Sequence, residues 1–507
     1  MLEPSFYPQR PSEVTHIETH ISHLFFAGDL VYKIKKAVRF SFLDYSTLAK
    51  RRYFLHEELR LNQRLAPSVY LGVLPISHGS QGWQLGTYAH PVEYALVMRR
   101  LPARRMLDFL LERGQVTPQM IRALAETLAS FHAQAGAGEE INASGGPEVI
   151  QMLWDENLTD IQPFVGRLLD HETFEAVRDF GNRFIRRHKD LLARRVHEGR
   201  IREVHGDLHC EHVCFAPEGI QIFDCIEFSP KLRTCDIASE IAFLVMDMEF
   251  RGADELARNF LRHYMDLMDD HELPLLLPFY KCHRALIRGK VAGLRSGGAS
   301  RLASRYFDYA GRVTWEEFMP FLVLVCGLTG SGKSTLARRL SQRLGLPVIS
   351  SDATRKALAG GSERQDRVPY EAGIYSPSMT EKTYARMAEE AEGLILKGQG
   401  AILDATFHQG AHRKAIFHLA ASHNIPLAII YCQSSEDVVQ ARLRRREEEG
   451  GDLSDGRWEV YLKQKAAFEP LREVPWGSYF TLYTEPPPAV LVHRAERFLL
   501  SILKKRS

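Results

Sequence analysis

At 507 residues the chain is too long for one hydrophobic core, and its length suggests roughly two to four domains. Its 45% hydrophobic and 25% charged residues are ordinary for a globular protein. A net charge of +2 gives no bulk attraction for nucleic acid or membrane, and no apolar run reaches the length of a membrane span.

In chain order, residues 24–34 read as a hairpin turning at Gly28-Asp29. A charged amphipathic helix follows at 48–65, stopped by Pro67, and 71–76, 83–88 and 94–98 read as further strands. Helices dominate from Leu101. Residues 116–135 place Ile121, Leu124, Leu128 and Phe131 on one face, and 174–196 and 274–295 read as further helices. Between them, 204–228 is a compact β-rich stretch with a turn at Pro217-Glu218-Gly219. A joint is expected at 316–320. Beyond it, strands at 321–326, 347–350, 401–404, 427–432 and 479–483 alternate with helices, the pattern of a parallel sheet with right-handed crossovers. The opening residues lack a basic-then-apolar leader, and seven scattered cysteines read as reduced thiols, so a cytoplasmic chain is expected.

The most specific motif is Gly327-Leu328-Thr329-Gly330-Ser331-Gly332-Lys333-Ser334, which fits G-x-x-x-x-G-K-[ST] between an apolar strand and a helix carrying Leu336, Leu340 and Leu344. Glycines let backbone N–H groups wrap phosphate oxygens, and the helix N-terminus adds positive potential. Lys333 would reach the β/γ-phosphates of ATP, Ser334 would hold Mg²⁺, and Thr335 completes the nucleotide-binding run. Ligands of open α/β sheets bind beyond the carboxyl ends of strands. Asp352, after the second strand, can there accept a proton from an attacking hydroxyl, and Arg355 can hold a phosphate. Asp404 ends the third strand at a position suited to a metal ion. A helix from Ser434-Ser435-Glu436-Asp437 carries Arg442, Arg444, Arg445 and Arg446, and a Gly-rich stretch follows at 450–457. Bunched arginines beside such a loop suit a lid over ATP, with Arg442 and Arg446 toward the nucleotide. Residues 365–384, with Tyr370, Tyr375, Pro377 and Tyr384, are expected to line the acceptor side.

These residues resemble the small P-loop kinases of the polynucleotide-kinase, gluconate-kinase and zeta-toxin type, a group that is AAA-ATPase-like, over roughly 320–505. The resemblance implies that Asp352 is the general base.

A second constellation is His205-Gly206-Asp207-Leu208-His209 with Asp224 after the next hairpin. In phosphoryl transfer one Asp orients the accepting hydroxyl and a second binds Mg²⁺. Together with Lys33 or Lys35 on an early strand and Glu58 or Glu57 on the first helix, it resembles the aminoglycoside-phosphotransferase and choline-kinase-like family over roughly 20–310. That likeness implies Asp207 as catalytic base, Asp224 as metal ligand and Lys33 at the nucleotide. The family pattern H-G-D-x-x-x-x-N has a metal-binding Asn where this chain has His212, and imidazole is a poor Mg²⁺ ligand. The nearby His and Cys residues fit no zinc-finger spacing.

The expected architecture is multidomain, α+β then α/β. A two-lobed protein-kinase-like domain spans 1–318, its small lobe about 1–100, and a doubly wound parallel-sheet P-loop domain spans 319–507. The expected activity is ATP- and Mg²⁺-dependent phosphotransfer to a hydroxyl of a small molecule or nucleotide, with an unidentified acceptor and no membrane partner. An ATPase switch, a polynucleotide 5′-hydroxyl kinase, and a non-catalytic binding role for the first half remain alternatives at this point.

Overall fold

The computed structural model describes residues 1–40, 43–80, 82–295, 300–360, 375–449, 457–472 and 479–504. The chain divides into two compact units, Met1–Ala310 and Gly311–Ser507. Residues 311–318, expected with the first domain, carry Trp315 and Phe318, which pack with Phe321 and Leu336 in the core of the second unit.

The first unit opens with β1 (Val14–Glu18), β2 (Ser22–Ala27), β3 (Leu30–Lys35), β4 (Tyr70–Gly79), β5 (Gly82–Leu85) and β6 (Pro91–Arg99). They form one antiparallel sheet in the order β1-β2-β3-β6-β4-β5. Alternation along β6 supplies both faces, since successive side chains of a strand point opposite ways. Ala95 and Val97 pack with Tyr7, Tyr32 and Ile76. Tyr94 and Leu96 pack with Leu55 of the helix Leu48–Asn62.

The rest of the unit is mainly helical. The helix Pro118–Gln134 is started by Thr117, whose side chain accepts from the Met120 amide, and it buries Ile121, Leu124, Leu128 and Phe131. Instead of one helix over 174–196 there are two, His171–Arg187 and Lys189–His197. His188, with φ −106° and ψ 21°, leaves helical geometry between them. Four short strands sit among the helices. β7 (Ile201–Glu203) pairs with β10 (Thr234–Asp236), and β8 (Val213–Ala216) forms a hairpin with β9 (Gly219–Ile222).

The second unit is a five-stranded parallel sheet of β11 (Leu322–Cys326), β12 (Val348–Ser350), β13 (Ala401–Asp404), β14 (Leu427–Gln433) and β15 (Tyr479–Tyr483). Their order is β12-β13-β11-β14-β15. All five residues of β11 are buried, as expected of a parallel strand covered on both faces. Val323 and Val325 face Leu336, Leu340 and Leu499, while Leu322 and Leu324 face Met387, Leu403 and Ile416.

Candidate functional site

In the second unit, strand register sets the site. Val325 lies opposite Asp404, and Asp404 lies opposite Ser350. The carboxyl ends of β11, β13 and β12 therefore finish side by side. From them the chain runs, respectively, into the 327–334 loop, the Asp404 turn and the helix Ser351–Leu358 that carries Asp352 and Arg355.

The loop turns into the helix Lys333–Leu344 at Gly332, and Thr335 lies in that helix's first turn. Gly327 has φ +148°, and a Cβ there would meet the Cys432 carbonyl oxygen at 2.5 Å, so no other side chain fits. Outside contacts hold the loop's backbone. The Thr329 amide donates to Gln464 at 2.9 Å, and the Thr484 hydroxyl donates to the Ser331 carbonyl at 2.7 Å. Arg442 donates to the carbonyls of Gly330 at 3.3 Å and Thr484 at 2.6 Å. Leu328 packs beside Val439, Leu443 and Tyr461.

Polar atoms are left over inside this frame. Thr329 Oγ1, Ser331 Oγ and Asp404 Oδ1 are buried and have no hydrogen-bond partner among the described residues. Each such group costs about 1–3 kcal/mol when left unsatisfied. Burial pushes the Asp404 carboxyl above its ordinary value, and Lys333 and Ser334 pull it back in part. A buried, under-satisfied carboxylate beside a lysine, a serine hydroxyl and a helix N-terminus suits a triphosphate with a divalent ion, so the residues present fit MgATP.

Asp352 lies in the first turn of its helix, 3.4 Å from Arg355 Nη1. Arg355 is buried, stands 4.9 Å over the Tyr375 ring, and its Nε has no partner among the described residues. Tyr384, expected on the acceptor side, is turned into the core. Its ring stacks on His412, and its hydroxyl accepts from the Phe407 amide at 3.1 Å. Of the expected lid, the helix Glu436–Glu449 carries Arg442 against the loop, with Arg446 half-buried one turn on and Arg444 and Arg445 exposed. The stretch expected to close over the nucleotide, 450–456, and most of the acceptor-side segment, 365–374 with Tyr370, lie outside the described residues.

In the first unit the second constellation is brought together. Lys33 bonds to Glu58 at 2.6 Å and to Asp224 at 2.9 Å. Lys35 bonds to the same Glu58 at 2.7 Å and also to Glu227. Glu57 instead pairs with Arg60 on its own helix. Asp224 holds a left-handed backbone at φ +64°, and its amide donates to the Tyr70 hydroxyl at 3.1 Å. Burial alone would raise the Asp224 carboxyl, but Lys33 and His212 overcome it and hold the group well below the carboxylate range. Asp207 is likewise held low against burial, by His209, His212 and Arg288. An Asp so acidic keeps its charge at any physiological pH.

Several residues that brace this loop escaped the sequence reading. Glu240 accepts from the amides of His205 and Gly206, both at 2.8 Å. Asp247 accepts from the Cys210 amide at 3.0 Å. Arg284 donates to the Gly206 carbonyl at 3.1 Å, and Arg288 donates to His209 Nε2 at 3.1 Å. A usable signal was present: Glu240 and Asp247 are carboxylates buried in the mostly apolar helix Ile237–Phe250.

The fold and these two sites define a two-domain chain with a phosphotransferase unit ahead of a small P-loop kinase unit, and the family matches agree. Residues 33–273 match the phosphotransferase enzyme family, and residues 322–471 match the AAA domain family. The chain is 30% identical over 474 residues to the uncharacterized protein Rv2004c of Mycobacterium tuberculosis, an alignment covering 93% of this chain and 92% of that protein, and it belongs to the same family. Among solved structures, the first unit is similar to a choline/ethanolamine kinase family protein from Mesorhizobium loti (TM-score 0.39, 13% identity, 61% of this chain and 91% of that one). The second unit is similar to a gluconokinase from Sinorhizobium meliloti (TM-score 0.28, 18% identity, 37% of this chain and 95% of that one). Among the described residues no helix is long and apolar enough to cross a membrane, and no two of the seven cysteines form a disulfide.

Proposed function

We propose that the second unit is an ATP-dependent kinase that transfers the γ-phosphoryl group to a hydroxyl of a small molecule or nucleotide. The first unit is proposed as a second ATP-dependent phosphotransferase site. The observation that carries the main reading is the convergence of Lys333, Ser334, Asp404 and Asp352 at three adjacent strand ends.

ATP, when bound with Mg²⁺, supplies the phosphoryl group and a cation to spread its charge. The chain's own residues do the rest. The 327–334 loop binds phosphate through its backbone N–H groups, with Lys333 as the mobile cation and Arg442 and Gln464 keeping the loop in shape. Ser334 and Asp404 Oδ1 would hold the metal through their oxygens. Asp352 Oδ takes the acceptor's hydroxyl proton, and Arg355 holds an anionic part of the acceptor or of the group in transit. In the first unit Lys33 would steady the nucleotide and Asp207 would orient the acceptor.

The test is phosphate transfer from γ-labelled ATP into a metabolite mixture, followed by identification of the labelled product. Lys333→Ala should lower transfer by roughly two to three orders of magnitude. Asp352→Asn should lower kcat by roughly 10²- to 10⁴-fold while leaving ATP affinity near wild type. Full transfer by the Lys333 variant would end the assignment to this unit. Label passing to water alone across a broad acceptor panel would replace the kinase reading with an ATPase one.

A further inference from the structure

The metal position of the first unit does not have the donor set that Mg²⁺ requires. Mg²⁺ asks for oxygen ligands in near-octahedral array. The carboxylate there, Asp224, has Oδ1 on Lys33, and its Oδ2 lies 3.7 Å from His212 Nε2.

The protonation pattern of that histidine follows from its contacts. His212 Nδ1 lies 2.8 Å from the Asp207 carbonyl oxygen, which can only accept, so Nδ1 carries the hydrogen. In the neutral ring Nε2 is then a bare lone pair, and it makes no hydrogen bond among the described residues. His212 Nε2 and Asp224 Oδ2 face each other at 3.7 Å, a separation that one ion bound to both atoms would bridge. An imidazole whose far nitrogen donates to a backbone carbonyl while the near one meets a carboxylate is the arrangement of a metal-ligating histidine with its outer shell in place.

Neighbouring groups narrow the choice further. Asp207, His209 and His212 are close enough together to share an ion. However, Arg288 donates to His209 Nε2, which takes that lone pair. His212 Nε2 is the nitrogen left available, and Asp224 Oδ2 is the oxygen beside it.

We infer that the first unit binds a divalent transition-metal ion, of the class of Mn²⁺, Co²⁺ or Zn²⁺, through His212 Nε2 and Asp224 Oδ2, in preference to Mg²⁺. Imidazole nitrogen favours such ions over Mg²⁺. The inference concerns ion binding and stands whether or not phosphoryl transfer occurs at this site.

The experiment uses the full chain and Mn²⁺ as a paramagnetic probe, alone and then with a non-hydrolysable ATP analogue. Electron-spin-echo modulation should show ¹⁴N coupling from a directly bound imidazole. The P-loop site offers the oxygens of Ser334 and Asp404 and should not produce it. Mg²⁺ at about a hundredfold excess should leave the nitrogen-coupled signal in place. His212→Asn should abolish the coupling and weaken this Mn²⁺ site by at least about tenfold. Asp224→Asn should weaken binding while keeping the coupling in the ion that remains bound. Absence of ¹⁴N coupling in the wild-type chain under both conditions overturns the inference, whatever the variants do. So does coupling that persists in a folded His212→Asn chain, or Mn²⁺ displaced by equimolar Mg²⁺. A nitrogen-coupled site with no phosphoryl transfer would count against the proposed activity of this unit and leave the metal site standing.

Discussion

At the scale of single residues, Asp404 is a buried carboxyl that costs the resting fold stability. Its carboxyl is raised by burial, so between its ordinary and raised pKa the folded protein holds a proton that the unfolded chain releases. Stability is therefore highest below the ordinary carboxylate value and falls as pH rises through the raised one. Asp404→Asn keeps the shape and removes the titration. Its melting temperature is expected to be flatter than wild type across weakly acidic pH, and higher than wild type at neutral pH in the absence of nucleotide. A parallel pH dependence in the two proteins would mean that Asp404 is not the group responsible. Asp207 and Asp224 have the opposite sign. Both are held low, so their contribution is present above the ordinary carboxylate pKa and is lost only as strongly acidic pH protonates them in the folded state.

At the scale of elements, the helical part of the first unit is joined by a buried arginine. Arg195, on the helix Lys189–His197, donates to both oxygens of Asp236 and to both oxygens of Asp270 at 2.6–2.8 Å. Asp236 also caps the helix Ile237–Phe250 by accepting from the Ala238 amide. Arg195→Met leaves two buried carboxylates uncompensated and is expected to destabilise the unit by about 3–5 kcal/mol, read by urea denaturation. A loss near zero would show that water reaches the pair. Connections of this kind explain what was legible in the sequence. The 327–334 loop, the Gly28-Asp29 hairpin and the five strands of the parallel sheet are local patterns, and local chemistry dictates them. β1 was missed because Val14-Thr15-His16-Ile17-Glu18 is a mostly exposed edge with no apolar face to betray it. Glu240, Arg284 and Arg288 were missed because the 205–209 loop they brace is distant in sequence and meets them only through tertiary packing. Asp207 and Asp224 were read from the 205–209 motif and the hairpin after it, and Lys33, with Lys35 as the alternative, from the family resemblance.

For the whole molecule, the division into two packed units makes two nucleotide sites a testable count. Calorimetric titration with a non-hydrolysable ATP analogue is expected to reveal two binding events per chain. Lys333→Ala should remove one and Asp224→Asn the other. If Lys333→Ala removed all nucleotide binding, the first unit would have to be regarded as a binding module for something other than ATP.

The register of Val325, Asp404 and Ser350 has a consequence for how such a protein can evolve. The separation of the loop, Asp404 and the start of the helix that carries Asp352 is fixed by backbone ladders, and side-chain drift around them leaves it unchanged. A lineage can therefore vary the side chains around these strand ends while their spacing is inherited intact. A single-residue insertion or deletion within β13 is another matter. It would turn Asp404 to the opposite face of the sheet and remove the site in one step.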